Sequence, residues 1–342
     1  MVKRFTLTAV AALFCLAAGS ATAQDFVMKW STPSIKDDEI SIHWLPKTVL
    51  ESEIEARSGG RIDVQLFAKG QLGKMEDMPG QVRAGIIQGA DMADGPVAAL
   101  FPDIQLLSVP YLFVNREVAW AVLDGPFGAA ISEKMAETVG LRPLAFGEIG
   151  YRHFSTAATP VTKLEDLKGL KIRTMTNPVH IAMVNGLGAS ATPIAWSELY
   201  SALQTNVVDG QENPVSNFIQ VKLYEVQKHL VLDGHVYGAY LFLVSEKWYQ
   251  SLPDDMKAAV RQGAVVAAKT MRGLAVATEQ RDTETLREAG MQIHGLTAEE
   301  KRRFQEAAQA ATMPMIEKDA DAALLALLKD EVAKAETKFG YR

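Results

Sequence analysis

Residues 254–289 run without a proline and are rich in Ala, Met, Arg, Glu and Lys, all good helix formers. At about 1.5 Å per residue, one helix over this stretch would reach roughly 50 Å, more than the thickness of one small domain. The stretch is therefore either a spine along two lobes or a pair of helices broken near Gly263 or Gly273. A chain of 342 residues fits two domains. On either side of the stretch, short apolar or alternating runs (27–31, 62–66, 90–93, 144–146, 151–155, 170–173, 239–244) read as strands. Helical segments stand between them (40–57, 76–84, 115–139 in two pieces around Gly125-Pro126, 179–187), and 297–338 reads as amphipathic helix. Strands alternating with helices predict an α/β architecture with mostly parallel sheets. No internal repeat or glycine-rich linker interrupts the pattern.

The N-terminus has the layout of an export leader. Met1-Val2-Lys3-Arg4 is basic, residues 5–18 are apolar, and Ala21-Thr22-Ala23 is an A-x-A site, which predicts cleavage after Ala23 and a mature chain in the periplasm. Cys15, the single cysteine, lies within this leader and follows Phe14 rather than a small residue, so lipid attachment is not expected. A mature chain with no thiol has no disulfide to staple it and must rely on its hydrophobic core. Losing Lys3 and Arg4 takes the formal charge from −6 to −8. A mildly acidic surface argues against nucleic acid and anionic lipid as partners. It leaves an anionic small molecule open, because local groups decide a pocket.

Enzyme signatures are absent. There is no G-x-S-x-G, H-E-x-x-H, P-loop or Rossmann glycine pattern, and the six histidines include no i, i+4 pair, so neither a cofactor nor a metal is expected. Asp254-Asp255 and Glu299-Glu300 read as solvated helix starts. Two arginines stand out instead. Arg152 lies among aromatic neighbours in Gly150-Tyr151-Arg152-His153-Phe154, and Arg173 closes the strand Gly169-Leu170-Lys171-Ile172-Arg173. A guanidinium in such a place needs a carboxylate. That carboxylate is either a ligand's, held by two parallel hydrogen bonds, or an internal one from Glu212, Asp209 or Glu198. Downstream, residues 192–214 read as a helix capped by Ser197, a short strand and a turn at Asp209-Gly210. The polar run Gln211-Glu212-Asn213 ends this stretch at Pro214, where its side chains can face a cleft.

This last run, together with Lys168-Gly169-Leu170-Lys171-Ile172-Arg173, closely resembles the signature of the extracytoplasmic solute-binding proteins of TRAP transporters, the DctP family. The resemblance extends over nearly the whole mature chain and is strongest over 150–244. It implies a two-lobed periplasmic binding protein fold with a hinge and a long helix across both lobes. Lobe I would comprise 24–149 plus 239–278 and lobe II 150–238 plus 279–342. It further implies that Arg173 forms the main salt bridge to a ligand carboxylate, that Arg152 supports it, and that Asn213 of the Q-E-N-P motif, beside Glu212, contacts the ligand. Trp196 takes an aromatic position usually held by Phe, and Thr176 and Asn177 are candidates at the turn after Arg173. In the first lobe, the loops Thr32-Pro33-Ser34 and Ala93-Asp94-Gly95-Pro96 are the expected contacts. Asp94 there is either a ligand contact or a turn residue. Tyr237 is a further lining candidate, while His43 and Trp44 face either the cleft or, the favoured reading, the core side of a helix. The implied function is capture of a small organic acid by a monomer and its delivery to a membrane permease. C4-dicarboxylates, sugar acids and aromatic or branched hydroxy acids all stay open. The alternatives are the binding component of an ATP-driven uptake or sensor system, and an exported enzyme acting on organic acids.

Overall fold

The computed structural model describes residues 25–36 and 41–342. The expected leader, its cleavage site, Cys15 and the expected helix start at Ile40 lie outside the described residues. The strands are β1 Phe26–Ser31, β2 Ile62–Phe67, β3 Gly89–Ala93, β4 Leu141–Thr156, β5 Lys171–Thr174, β6 Ser190–Pro193, β7 Gly210–Asn213, β8 His229–Ser245 and β9 Gln292–His294. The helices are α1 Leu45–Arg57, α2 Met78–Ala84, α3 Arg116–Leu123, α4 Pro126–Val139, α5 Pro178–Gly186, α6 Leu199–Gln204, α7 Val215–Gln220, α8 Glu246–Ser251, α9 Asp254–Glu288, α10 Ala298–Asp319 and α11 Ala322–Phe339.

The strands run in the order β2-β1-β3-β8-β4-β7-β5-β6, with β9 alongside β8. Both flanks are parallel, as alternating strands and helices predict: β1 pairs with β2 and β3, and β5 with β6 and β7. The centre is antiparallel and is built from two strands much longer than the sequence pattern suggested. β4 has 16 residues and β8 has 17. The 141–147 half of β4 pairs with 240–245 of β8 beside the first flank, and its 151–156 half pairs with 229–237 beside the second. Between the halves, at Glu148 to Tyr151, the register shifts. Gly150 there has φ +98°, a left-handed conformation that strains other residues, and a Cβ on Gly238 would lie 2.4 Å from the Gly150 carbonyl oxygen. β4 and β8, two of the segments that pass between the lobes, thus meet at a glycine pair.

Residues 254–288 form one continuous helix of 35 residues, so neither Gly263 nor Gly273 breaks it. α9 lies against α1 in the first lobe, against β4, and against α7 in the second lobe. The first lobe buries two clusters, one between α9, α1 and the sheet (Met28, Leu50, Ile54, Phe242, Val260, Met271) and one on the other face (Phe101, Val118, Phe127, Ile131, Leu241). Leu324, Leu328 and Val332 of α11 belong to that second cluster, and α11 lies against α3 and α4. The expected grouping of 279–342 with the second lobe therefore does not hold for α11, whose apolar face completes the first. Asp321, the N-cap of α11, is anchored there by its backbone N–H to Asp103, at 2.7 Å.

Two local expectations are also corrected. Ser197 caps no helix: α6 begins at Leu199 after a 3-10 turn from Trp196 to Glu198, and Val207 lies beyond it, exposed. Gln211-Glu212-Asn213 does not face a cleft as a run: it is part of β7, a polar strand fully buried between β4 and β5. It can be polar because its side chains are partnered inside the protein.

Candidate functional site

β4, β7 and β5 lie side by side, with His153 opposite Asn213 and Arg173 opposite Gln211. These strands bring Arg152, Asn213 and Arg173 to one cavity between the lobes. Trp196 and Met175 from the second lobe, Asn217 and Gln220 of α7, and Pro33, Ser34, His43 and Met75 from the first lobe also line it.

The two arginines answer the charge question differently. Arg152 is paired internally: Nε and Nη2 both donate to the Glu212 carboxylate, and Nη2 also donates to the Glu212 carbonyl at 2.6 Å. Arg173 is 1% exposed and has no carboxylate partner. Its Nε donates to the Ile194 carbonyl at 2.9 Å, while Nη1 is buried with no partner among the described residues. Burial pushes the guanidinium down to about 10, so it is still charged at neutral pH, with Glu212 favouring the charge and Arg152 opposing it. A buried, charged fork with an orphaned donor is costly unless a planar anion meets it.

Behind Arg152 stands a closed polar relay. Glu212 also receives His180 Nδ1 and His235 Nε2, each at 3.2 Å, and His235 Nδ1 lies 2.7 Å from Asp233. Burial favours the neutral Glu212, but Arg152 and His180 outweigh it and hold the carboxyl well below its usual range. Burial likewise disfavours a charged His235, yet Asp233 and Glu212 raise it to about 9. Glu212 does not face the cavity; it is the counter-ion that holds Arg152 in place. An amide chain positions Asn213 in the same way. Its Oδ1 accepts from Asn217 at 2.6 Å and one of its N–H groups donates to Gln211. That leaves its second N–H uncommitted.

Other sequence candidates sit elsewhere. Asn177 caps α5, with its Oδ1 accepting from the Val179 N–H at 2.9 Å. Its Nδ2 reaches across the lobes to Asp94 at 3.3 Å and to Ser108 at 2.9 Å. Asp94 and Asn177 thus join the lobes to one another rather than lining the cavity. Thr176 is exposed, and Tyr237 is a core residue whose hydroxyl donates to Glu148 at 3.2 Å. Two more contacts bridge the lobes: Lys74 to Glu198 at 2.6 Å, and the Trp196 backbone N–H to Glu76 at 3.3 Å. His43, expected in a helix core, instead precedes α1 and lines the cavity with Gln220 and Asn217. No local signal marks these three, because they meet only after the lobes come together. Among the described residues, no group of three or more His, Cys, Asp or Glu is placed to hold a metal ion.

The model of bacterial extracellular solute-binding proteins, family 7, matches residues 45–319. A solute-binding protein of Verminephrobacter eiseniae is 40% identical over 241 residues, 70% of this chain and 72% of that protein. The C4-dicarboxylate-binding periplasmic protein of Rhodobacter capsulatus is 33% identical over 260 residues, 75% of this chain and 77% of that one. A TRAP periplasmic solute-binding protein from a Polaromonas species, solved with bound D-erythronate, superposes with a TM-score of 0.82 at 30% identity, over 89% of this chain and 98% of that one. Each is named for binding a solute rather than for catalysis. With the two-lobed fold and a buried arginine fork at the interlobe cavity already in view, these matches establish that the chain belongs to the DctP family of extracellular TRAP solute-binding proteins.

Proposed function

We propose that this protein captures a small organic acid by its carboxylate in the interlobe cavity and delivers it to the membrane permease of a TRAP transporter. One observation carries the reading: Arg173 is fully buried, charged and without a carboxylate partner, with an N–H left open at the cavity wall. Arg152, neutralised by Glu212, supports the same carboxylate as a hydrogen-bond donor, and Asn213 and Trp196 complete its seat. The lobes divide at Ile149-Gly150 and Gly238-Ala239, the mature chain starts at Gln24 in the periplasm, and the protein works as a monomer.

A thermal-shift screen of organic acids identifies the cargo class, because a ligand that binds only the folded state raises its stability. Titration calorimetry with the acid so found then tests the anchor. Arg173→Lys keeps the charge but loses the planar fork. Losing a buried charge-assisted contact costs about 2–5 kcal/mol, or roughly 30-fold to several-thousand-fold in affinity. Near wild-type affinity in both Arg173→Lys and Arg173→Ala would sink the assignment. Mass determination of the exported protein checks the start at Gln24.

A further inference from the structure

The cavity wall away from Arg173 has its own chemistry. Among the described lining residues the only permanent cations are Arg152 and Arg173, and the charge of Arg152 is already matched by Glu212. Lys47, on the first-lobe side, is committed to Asp91 at 3.1 Å beneath the Tyr240 ring. Glu76, whose Oε1 meets the Trp196 N–H, keeps a buried Oε2 without a partner and adds negative potential near Arg173. A ligand with one carboxylate is matched by Arg173. A second carboxylate would be buried with no cation left for it, which is costly.

Neutral groups fill that wall. His43 is 5% exposed, and its Nε2 has no partner. Burial, with Lys47 nearby, lowers the imidazole to about 3, so the ring is neutral; only the Ser216 backbone favours the protonated form. A neutral imidazole has one N–H and one bare nitrogen. With its N–H turned to the Ser216 backbone, Nε2 is left as an acceptor. Gln220 supplies the complement, since its Nε2 is also buried without a partner. An acceptor and a donor, both unpartnered in the lining of one cavity, together offer what a hydroxyl needs, since it gives one hydrogen bond and takes another. A carboxylate oxygen can only accept, and would satisfy Gln220 while facing the lone pair of His43.

Building on the Arg173 anchor, we propose that the cargo is a hydroxylated monocarboxylate, and that His43 and Gln220 are the residues that select its hydroxyl groups against a second carboxylate. Titration calorimetry on the mature protein with D-erythronate, succinate and butyrate, and with D-gluconate and D-glucarate, separates these classes. Erythronate is expected to bind at least about tenfold more tightly than succinate, as is gluconate relative to glucarate if six carbons fit the cavity. His43→Phe keeps a ring but removes both nitrogens, and should lower the erythronate-to-butyrate affinity ratio by roughly threefold to tenfold, the range for one lost hydrogen bond. Gln220→Leu should do the same and serves if His43→Phe does not fold, with thermal unfolding checking both. Succinate binding as tightly as erythronate, or an unchanged ratio in both variants, overturns the proposal. If dicarboxylates win while Arg173→Lys still weakens binding, only this inference falls. If no acid binds, or all bind regardless of Arg173, the organic-acid reading falls with it.

Discussion

Arg152 and Arg173 are the same residue type on the two strands that flank β7, yet removing each should act differently on stability. Arg152→Met leaves Glu212 buried without its main counter-ion and is expected to cost on the order of 3–5 kcal/mol. Arg173→Met removes a buried charge that has no counter-ion and is expected to leave the ligand-free protein equally stable or more so, while abolishing binding. Urea unfolding without ligand checks both, and equal losses would mean that Arg173 has an internal partner after all. His235 makes a pH prediction. Its folded value of about 9 lies above the ordinary 6.5, so its stabilisation is complete below about 6.5 and is lost as pH rises through about 9. The unfolding temperature should fall between pH 7 and 9.5, and less steeply in His235→Gln. In sequence, Arg173, Arg152, Asn213 and Trp196 were visible because a motif carries them. Whether Glu212 faces a ligand or a neighbour depends on which strand lies beside it, and His43 and Gln220 matter only through the opposite lobe. Neither is a local property.

Elements set by local signals read well from sequence. Gly125-Pro126 separates α3 from α4, and a proline-free run of helix formers becomes α9. The central strands did not, because β4 and β8 are long only by virtue of each other. Glu148 and the glycines at 147 and 150 look like a break, but pairing with β8 carries the strand through them. The same pairing places the glycine crossing at the lobe boundary proposed above. Gly238→Val would drive a branched side chain against the Gly150 carbonyl and the Pro214 ring. This variant is expected to unfold at lower temperature and to bind more weakly, whereas Gly273→Ala, with open space around it, should leave both unchanged or slightly improve stability. Similar behaviour of the two would show that the crossing tolerates bulk.

For the whole molecule, the contacts of Asp94 and Ser108 with Asn177, of Lys74 with Glu198, and of Glu76 with Trp196 describe lobes drawn together over the cavity. A ligand that reaches both lobes gains its full contact set only in this arrangement, so it shifts an open–closed equilibrium by its preference for the closed form. Small-angle scattering should show compaction on adding the cognate acid. Asn177→Ala, which removes about 1 kcal/mol from the closed form, should raise the dissociation constant roughly fivefold without altering the contacts to the carboxylate. An identical scattering profile with and without saturating acid would contradict closure. The two-lobed α/β fold was legible from the alternation of strands and helices together with the family motif, but the seat of α11 was not, since an amphipathic helix does not declare which face of a sheet it will cover.

That seat has a consequence in time. The first lobe begins with β1 at residue 26, but its core closes only when Leu324, Leu328 and Val332 arrive near the other end of the chain. Between them the polypeptide passes to the second lobe and back twice, through β4 and β8 and again through α9 and α10. A chain delivered from its N-terminus therefore cannot complete its first lobe early and wait. Phe127, Val118 and Ile131 lack the α11 part of their cover until almost the last residue has emerged, and the pairing of β4 with β8 is non-local as well, which slows folding further. The topology thus leaves the last contacts of its first-formed lobe to the end of the chain.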